Sequence, residues 1–375
     1  MDDGQKQAAS VLPPIKLLVA ASGTGGHLFP AIATANQLTQ TGNGPEQWKI
    51  EWLGVPDRLE TELVPQHYSL HTVRMGGVQG RLGLGSAKLL AQFLRSTAQV
   101  RRLLKQGHFQ GVFTTGGYIA APAILAARSL GLPAILHESN ALPGKVTRWL
   151  SPWCTLVALG FEEAEKYLPK ARTLTVGTPV RSEFLTAAKV DVNQALGNSA
   201  IPPEAPVIVV VGGSQGAVAV NRLVRAAAPA WFEAGAWVIH QTGTNDPEAD
   251  SLSHPQYLHR PFFDNVAALF GRATLVISRA GAGSLTELAM THTPSILIPY
   301  PFAAEDHQAY NAATFASVGA AKVYRQNELT AEELCDRVLK LLDNRPDLDT
   351  MSKAASHLAV TDSAEKLANL LQRSL

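Results

Sequence analysis

Two glycine-rich turns, one in each half of the chain, limit the possible fold more than any other feature of the sequence. The first turn is Ser22-Gly-Thr-Gly-Gly-His27 and the second is Gly212-Gly-Ser-Gln-Gly-Ala217. Each follows an apolar run typical of a buried strand and precedes a segment of helical length. A strand that enters a helix through glycines opens a doubly wound parallel sheet. The sequence therefore predicts two α/β halves of similar design.

Further strand-like runs alternate with helix-length segments, as expected of repeated βαβ units. They cover residues 16–21, 50–54, 111–115, 134–137 and 156–158, then 207–211, 237–241, 275–278 and 295–299. A chain of 375 residues is long enough for about two domains. We predict two Rossmann-like, doubly wound parallel-sheet domains facing a central cleft, with a boundary near residue 180 in a linker rich in proline and glycine.

Composition excludes several other classes of protein. With 46% hydrophobic and 17% charged residues, the chain has the make-up of a globular protein and not of a disordered one. Its only cysteines, Cys154 and Cys335, lie too far apart in sequence to suggest a disulfide framework or a cysteine metal site, which favours a reducing compartment. We expect no secretory signal and no membrane-spanning helix, so any membrane contact is peripheral.

Charge is distributed unevenly along the chain. Residues 1–180 contain 17 basic and 11 acidic residues, whereas residues 181–375 contain 15 basic and 20 acidic ones. Between Glu62 and Glu138 there is no acidic residue, while the basic residues are Arg74, Arg81, Lys88, Arg95, Arg101, Arg102, Lys105 and Arg128. The leucines of segment 74–105 suit contact with anionic membrane headgroups, but also packing as an ordinary amphipathic helix, and nucleic acid is the competing polyanion.

The glycine turns predict phosphate binding, because they leave backbone N–H groups free at a helix N-terminus. They match neither common nucleotide fingerprint. After Gly23 and Gly25, the third glycine of a dinucleotide-binding turn is replaced by Leu28, and the second turn lacks the Gly-Lys-Ser/Thr ending of a P-loop.

Several polar residues near these turns are candidates for chemistry. His27 is a candidate general base, because a nearby helix N-terminus favours the neutral ring; a purely structural hydrogen bond is the alternative. Glu287 follows a further glycine-containing turn, at 278–284 in the second half, and can bind a ribose diol, unless it is simply solvated. The polar segments 137–144 and 299–311 are expected to line the cleft. The adjacent residues Glu305, Asp306 and His307 do not converge on one ion, so we predict no metal site.

Five motifs, taken together and in order, closely resemble glycosyltransferase family 28 and in particular its MurG enzymes. They are Gly23-Thr-Gly-Gly-His27 with Pro30-Ala31, His137-Glu-Ser-Asn140, Gly212-Gly-Ser-Gln-Gly-Ala217, Arg279-Ala-Gly-Ala282 and Asp306-His-Gln308. The MurG enzymes transfer N-acetylglucosamine (GlcNAc) from UDP-GlcNAc to undecaprenyl-pyrophosphoryl-MurNAc-pentapeptide in peptidoglycan synthesis. The order and spacing match across nearly the whole chain.

The resemblance implies a GT-B fold. Residues 1–180 would form an acceptor- and membrane-facing domain, 181–357 a UDP-GlcNAc-binding domain, and 358–375 a helix that returns to the first domain. It also implies inverting transfer to the C4 hydroxyl of MurNAc, which converts lipid I to lipid II without a cofactor. The expected location is the cytoplasmic face of the plasma membrane, peripherally bound. Expected partners are an anionic membrane surface and proteins of cell-wall synthesis and division, but not nucleic acid.

The family's site residues carry over by position. His27 would deprotonate the acceptor, Glu287 would bind the ribose, Gln308 the GlcNAc, and the backbone near Phe263 the uracil. The remaining donor contacts would come from Thr24, Gly25, Gly26, Asn140, Arg181, Ser214, Ala282, Gly283 and Ser284.

Two departures from the family pattern concern sugar selectivity. Ala21-Ser22 replaces two glycines common in the family, and Ala309 replaces a polar residue. The rival interpretations are a UDP-sugar:diacylglycerol glycosyltransferase, a UDP-GlcNAc 2-epimerase of the same architecture, and a catalytically silent scaffold.

Overall fold

Short, apolar, fully buried strands form the centre of two parallel sheets. The computed structural model describes residues 13–40, 47–75, 84–186, 192–196, 201–213 and 216–375. Strands buried on both faces are typical of parallel sheets covered by helices on each side. Both halves of the chain follow this pattern, so the predicted fold class of two doubly wound α/β domains is confirmed.

The first domain has a seven-stranded sheet in the order β3-β2-β1-β4-β5-β6-β7. Its strands are β1 Ile15–Ala20, β2 Trp48–Gly54, β3 Ser69–Thr72, β4 Gly111–Thr114, β5 Ala134–Glu138, β6 Leu156–Leu159 and β7 Thr173–Thr175. Its helices are α1 Gly25–Gln40, α2 Glu60–Leu63, α3 Leu84–Gln106, α4 Ala120–Ser129 and α5 Lys145–Leu150. The strand order reverses between β1 and β4, and parallel sheets bind ligands at such a switch point.

The second domain has a six-stranded sheet in the order β10-β9-β8-β11-β12-β13. Its strands are β8 Val207–Val211, β9 Trp237–Gln241, β10 Tyr257–Arg260, β11 Leu275–Ser278, β12 Ser295–Leu297 and β13 Ala321–Val323. The helices after the first sheet are α6 Ser182–Leu185, α7 Val192–Ala195, α8 Val218–Glu233, α9 Val266–Arg272, α10 Ala282–Met290, α11 His307–Ser317, α12 Ala331–Leu342, α13 Arg345–His357 and α14 Ser363–Ser374. The switch point here lies between β8 and β11.

The last helix, α14, packs on the first domain although it follows the second in sequence. It contacts α1, and Leu367 and Leu371 are buried in the same core cluster as Leu17 and Leu28. A side chain at Gly111 would clash with the terminal Leu375. The chain therefore crosses between the domains twice.

The four edge strands, β3, β7, β10 and β13, were not predicted from the sequence. Each is only three or four residues long and only partly buried, so none has a continuous apolar run. The predicted inner strands agree with the structure to within two residues at either end. Within the described parts of the chain, no helix combines the length and apolarity needed to cross a bilayer.

A buried polar network supports the second glycine turn from behind. The Asp246 carboxylate accepts hydrogen bonds from Asn221 Nδ2 (2.7 Å), from both terminal nitrogens of Arg225 (2.7 and 3.3 Å) and from Glu248 N (3.1 Å). Burial alone would raise the pKa of Asp246, but these donors outweigh it and hold that pKa below its usual value. Asn221 also donates to the Thr242 carbonyl oxygen at 2.8 Å. The loop from Thr242 is thus held rigidly.

This rigid loop leaves no room for a side chain at Gly216 in the second glycine turn. Gly216 has φ = 77°, and a Cβ there would lie 2.5 Å from the Thr242 carbonyl oxygen. Gly235, after α8, has nearly the same φ of 79° but no atom within 4 Å of such a Cβ.

We predict that Gly216→Ala destabilises the protein more than Gly235→Ala. Both variants place alanine in the left-handed region, which costs about 1–2 kcal/mol. Gly216→Ala adds a clash with backbone, a further cost of about 1–3 kcal/mol. Urea unfolding of both variants measures the difference, and equal losses of stability would show that the turn is free to move.

Candidate active site

A buried carboxylate holds the first glycine turn in place. Glu60, at the start of α2, is fully buried and accepts hydrogen bonds from Ser22 Oγ (2.5 Å), Gly23 N (3.3 Å) and Val55 N (2.6 Å). Gly23 has φ = 105°, a conformation that favours glycine. The turn therefore leads into α1 in a defined geometry, with Gly26 exposed at the first turn of the helix.

His27 lies in the first turn of α1 and has a defined tautomer. Its Nδ1 is 2.7 Å from the Thr115 carbonyl oxygen, and Thr115 Oγ1 donates to the His27 carbonyl oxygen at 2.8 Å. A carbonyl oxygen can only accept a hydrogen bond, so Nδ1 carries the hydrogen in the neutral ring. The Nε2 lone pair is then able to accept a proton, as a general base requires.

Another glycine turn, which the sequence analysis did not identify, packs against the His27 ring. Gly116 and Gly117 follow β4 with φ of 95° and 75°. A Cβ at Gly116 would lie 3.4 Å from His27 Cε1, and a Cβ at Gly117 would lie 3.7 Å from His27 Cδ2. The sequence does contain a signal for this turn, because β4, the Gly-Gly pair and α4 repeat the strand–glycine–helix pattern of the turns at 22–27 and 212–217.

The segment after β5 is also organised by a buried carboxylate. Glu138 Oε1 accepts from both the backbone N and the Nδ2 of Asn140, each at 3.0 Å, and Oε2 accepts from Gly144 N (3.2 Å) and Thr147 Oγ1 (2.6 Å). These bonds fix the side-chain amide of Asn140. The polar segment expected at the cleft is therefore a rigid turn, and Glu138 is its internal support.

In the second domain, α10 begins at the carboxyl end of β11 and faces open space. Its N-cap is Gly281, and it has no side-chain capping hydrogen bond. A Cβ added at Gly281 or Gly283 would meet no atom within 4 Å. Ala282 is buried, while Gly283 and Ser284 are partly exposed. A helix N-terminus of this kind can receive an anion such as phosphate.

Glu287 and Arg181 form an ion pair beside the same helix. Arg181 Nη2 lies 3.1 Å from Glu287 Oε1, and the Arg181 guanidinium stacks on the rings of Phe29 (4.8 Å) and Phe184 (4.9 Å). Burial raises the pKa of Glu287 to about 7, although Arg181 acts in the opposite direction. Since Phe29 belongs to α1, Arg181 connects the first domain to Glu287 in the second.

Gln308, in the first turn of α11, has a fixed amide orientation. Its Oε1 accepts from Ala280 N (3.2 Å) and Tyr300 N (2.9 Å), so the amide nitrogen points away from both backbone groups. That nitrogen can donate two hydrogen bonds. The neighbouring acids Glu305 and Asp306 pair with Arg148 and Arg325 respectively.

The remaining predicted residues are at the back of the site or outside the described chain. Phe263 is buried, and its N–H donates to Gln241 Oε1 at 3.1 Å. Its ring belongs to the same core cluster as Ala280 and Leu285 of the α10 region. Ser214 lies outside the described residues.

The structure thus brings together predicted residues of both domains. The link from α1 to α10 runs through Phe29, Arg181 and Glu287, and a second link joins Asn140 to the α11 region through Asn311. Thr24, Gly25, Gly26 and His27 lie at the start of α1, in the first domain. In the described ranges, no three histidine, cysteine or acidic side chains are grouped so that they could hold a metal ion.

Comparisons with known proteins agree with this arrangement. Residues 17–159 match the glycosyltransferase family 28 N-terminal domain, and residues 207–367 match the C-terminal domain of the same family. A relative from Trichormus variabilis is 62% identical over 359 residues, covering 96% of this chain and 98% of its own. Its name is UDP-N-acetylglucosamine–N-acetylmuramyl-(pentapeptide) pyrophosphoryl-undecaprenol N-acetylglucosamine transferase.

Solved structures show the same fold. The crystal structure of Acinetobacter baumannii MurG superimposes with a TM-score of 0.75 at 29% identity, covering 96% of this chain and all of that one. A UDP-N-acetylglucosamine 2-epimerase structure from Listeria monocytogenes gives a TM-score of 0.69 with coverage of 96% of both chains. At 14% identity, the epimerase shares the fold alone.

Two doubly wound parallel-sheet domains, matched in turn by the two domain models of one glycosyltransferase family, define a glycosyltransferase of the GT-B fold. The chain belongs to glycosyltransferase family 28, among its MurG enzymes. The resemblance stated from the motifs is therefore confirmed, and the diacylglycerol transferase and epimerase hypotheses are not favoured.

The raised pKa of Glu287 predicts a specific pH dependence of stability. Its pKa is about 7 in the folded protein against 4.5 for the free side chain, so only the folded protein holds this proton between those values. The group therefore contributes stability in full below pH 4.5 and loses it as pH rises through 7. The loss corresponds to roughly 3 kcal/mol. Relative to Glu287→Gln, the wild type should become less stable between pH 5 and 8 in urea unfolding; a constant difference contradicts the pKa.

Proposed function

We propose that this enzyme transfers GlcNAc from UDP-GlcNAc, with inversion, to the C4 hydroxyl of MurNAc in undecaprenyl-pyrophosphoryl-MurNAc-pentapeptide. The product is lipid II, used in peptidoglycan synthesis. The main support is the near full-length relative at 62% identity that bears the name of this transferase. In this proposal a nucleotide-sugar binds on one side of the cleft between the two domains and the acceptor on the other.

The domains divide the two substrates between them in this proposal. Residues 1–180, with the returning helix at 358–375, bind the acceptor and face the membrane, and residues 181–357 bind UDP-GlcNAc. The contact between α14 and α1 supports the grouping of the last helix with the first domain.

In the proposed donor complex, each part of UDP-GlcNAc has a matching group. Glu287 accepts hydrogen bonds from the ribose hydroxyls, and the backbone near Phe263 contacts uracil. Gln308 and Asn140 donate their amide hydrogens to the sugar. The diphosphate lies near the glycine turns and Arg181, contacted by Thr24, Gly25, Gly26, Ser214, Ala282, Gly283 and Ser284.

The chemical step requires one proton acceptor and stabilisation of the leaving group. His27 Nε2 takes the proton of the C4 hydroxyl as that oxygen bonds to the anomeric carbon. The bond from this carbon to the diphosphate oxygen breaks at the same time, which inverts the configuration. The N-terminus of α10 and the Arg181 guanidinium stabilise the negative charge that develops on UDP.

The first domain also carries a surface suited to an anionic membrane. On α3, Leu90 and Leu94 are each 58% exposed beside the exposed Arg95 and Arg101. Helix α5 packs on the same core cluster as α3 and α4 and exposes 81% of Trp149. Exposed apolar and cationic side chains on one side of a domain are typical of peripheral membrane binding. We place the enzyme on the cytoplasmic face of the plasma membrane, near other proteins of cell-wall synthesis and division.

We predict that His27→Ala lowers kcat by about 100- to 10,000-fold, because a general base contributes that much to the chemical step. The affinity for UDP-GlcNAc should change little, since the ribose and uracil contacts lie in the second domain. The measurement is transfer of radiolabelled GlcNAc to a lipid I analogue, with donor binding by calorimetry. His357→Ala, at an exposed helix end, is the control. Unchanged turnover in His27→Ala would remove the base assignment, and absence of lipid II product from the wild type would overturn the proposed reaction.

We also predict that Leu90→Asn combined with Leu94→Asn weakens binding to phosphatidylglycerol vesicles by about 10-fold or more, because both leucines lose apolar contact with lipid. Vesicle sedimentation measures the affinity. Leu174→Asn is the matched control, since Leu174 is 49% exposed on the edge strand β7. Equal affinities of the two variants would exclude α3 from the membrane surface.

A further inference from the structure

Asn311 of α11 is a fully buried amide that spans the two domains. Its Oδ1 accepts from the backbone N of Ala141 at 2.8 Å, and its Nδ2 donates to Asn140 Oδ1 at 3.1 Å. Both of these partners belong to the first domain. Nδ2 also donates to the Ala280 carbonyl oxygen at 3.2 Å, in the second domain. One side chain therefore bonds to the turn after β5 and to the turn after β11.

On the first-domain side, this contact completes the hydrogen bonding that orients Asn140. One N–H of the Asn140 amide donates to Glu138, and its oxygen accepts from Asn311. A rotation of the amide by half a turn would place the Asn140 nitrogen against the Asn311 nitrogen and its oxygen against the Glu138 carboxylate. Both contacts would be repulsive, so a single orientation is selected. The second N–H of Asn140 remains available to a ligand.

On the second-domain side, Asn311 and Gln308 both bond to the backbone of Ala280. Gln308 accepts from Ala280 N, and Asn311 donates to Ala280 O. Residues three apart on a helix lie on one face, so two neighbouring side chains of α11 bond to Ala280. The Ala280 region leads directly into α10. Any movement of Asn311 would thus be transmitted to the start of the helix that faces the cleft.

We infer that Asn311 is a positioning residue that holds the two domains in the closed arrangement and sets the amides of Asn140 and Gln308 for the donor sugar. This inference rests on the proposed function, because the ligand of those amides is the GlcNAc group. Asn311 itself reaches no substrate.

Burial of the amide explains why it affects closure rather than folding of either domain. In the closed form, all of its bonds are made away from water, where an unpaired polar group is costly. If the domains separate, Ala141 N, Asn140 and Asn311 become hydrated, so each domain folds equally well without the contact. The Arg148–Glu305 pair also joins the domains, but its side chains are 28% and 36% exposed. An exposed pair of this kind contributes little.

The test measures the distance between the domains directly. Spin labels are attached to Lys105→Cys in the first domain and Lys340→Cys in the second, both at exposed helical positions. Cys335 is replaced by alanine. Cys154 can remain, because burial raises the pKa of its thiol to about 12 and suppresses labelling. Distances are compared in the otherwise unchanged background, in Asn311→Ala and in the shape-conserving Asn311→Asp, with Asn344→Ala as control for loss of an asparagine hydrogen bond in the second domain.

We expect both Asn311 variants to show a longer or broader distance distribution, and the control to match the background. In the unlabelled proteins, kcat should fall about 10- to 100-fold, as expected for two lost cross-domain bonds, while affinity for UDP stays within about 3-fold. An unchanged distance distribution overturns the inference. The inference is also overturned if the fall in kcat is accompanied by an equal loss of UDP affinity or of the amount of folded protein. If distances shift but the wild type makes no lipid II, the proposed function fails and the domain-holding role of Asn311 stands.

Discussion

The site depends on buried carboxylates that pair with the backbone N–H groups of irregular turns. A turn that leaves a strand cannot satisfy its own N–H groups, and leaving them unpaired away from water is costly. Glu60 supplies the partners at the first glycine turn, Glu138 does so after β5, and Asp246 does so behind the second glycine turn. Each carboxylate belongs to a different element from most of the groups it holds. The turns are consequently rigid parts of the fold, although they have no regular secondary structure.

The number of hydrogen bonds that a carboxylate accepts also distinguishes the carboxylates that support turns from Glu287, which is suited to bind a ligand. Asp246 receives four hydrogen bonds, and its pKa is lowered despite burial. The Glu287 side chain is 15% exposed, and its side-chain hydrogen bond within the described residues is with Arg181. Its pKa is raised to about 7. Its carboxylate thus retains acceptor capacity that the ribose hydroxyls of a bound nucleotide can use. A ligand that donates hydrogen bonds to the Glu287 carboxylate favours its charged form. Such a ligand therefore offsets the cost of removing that charge from water.

The sequence was informative wherever one local signal was strong. Inner strands such as Val207–Val211 are unbroken apolar runs, so they could be placed closely, whereas edge strands such as Ser69–Thr72 are partly solvated and give no such pattern. The glycine turns at 22–27 and 212–217 were recognised, but Gly116–Gly117, which directly follows the predicted strand 111–115, was not identified as a turn of the same kind. Its role is visible only in the folded protein, where these glycines lie against His27. Thr115, just before them, is hydrogen-bonded to His27 although the two are 88 residues apart along the chain.

Contacts between distant residues were beyond sequence reasoning. Asn311 lies 170 residues from Ala141, and nothing in its local pattern distinguishes it from a polar residue on a helix surface. Glu60 likewise reads as the first residue of a short acidic helix, yet it is the internal support of the first glycine turn. Composition and periodicity report which side chains are buried on average. They do not report which partner a buried polar group will meet.

A transferase must keep water from its donor, and the structure indicates how closure and chemistry are joined. The groups proposed to touch the sugar, Asn140 and Gln308, come from different domains. Asn140 is oriented by Glu138 and Asn311, and Gln308 by the backbone of Ala280, to which Asn311 also bonds. When the domains separate, the Asn140 amide loses the contact that fixes its oxygen, so the sugar-binding amides are no longer oriented together. Under the proposed function, the arrangement that orients the two amides also shields the donor from water, which favours transfer to the acceptor over hydrolysis.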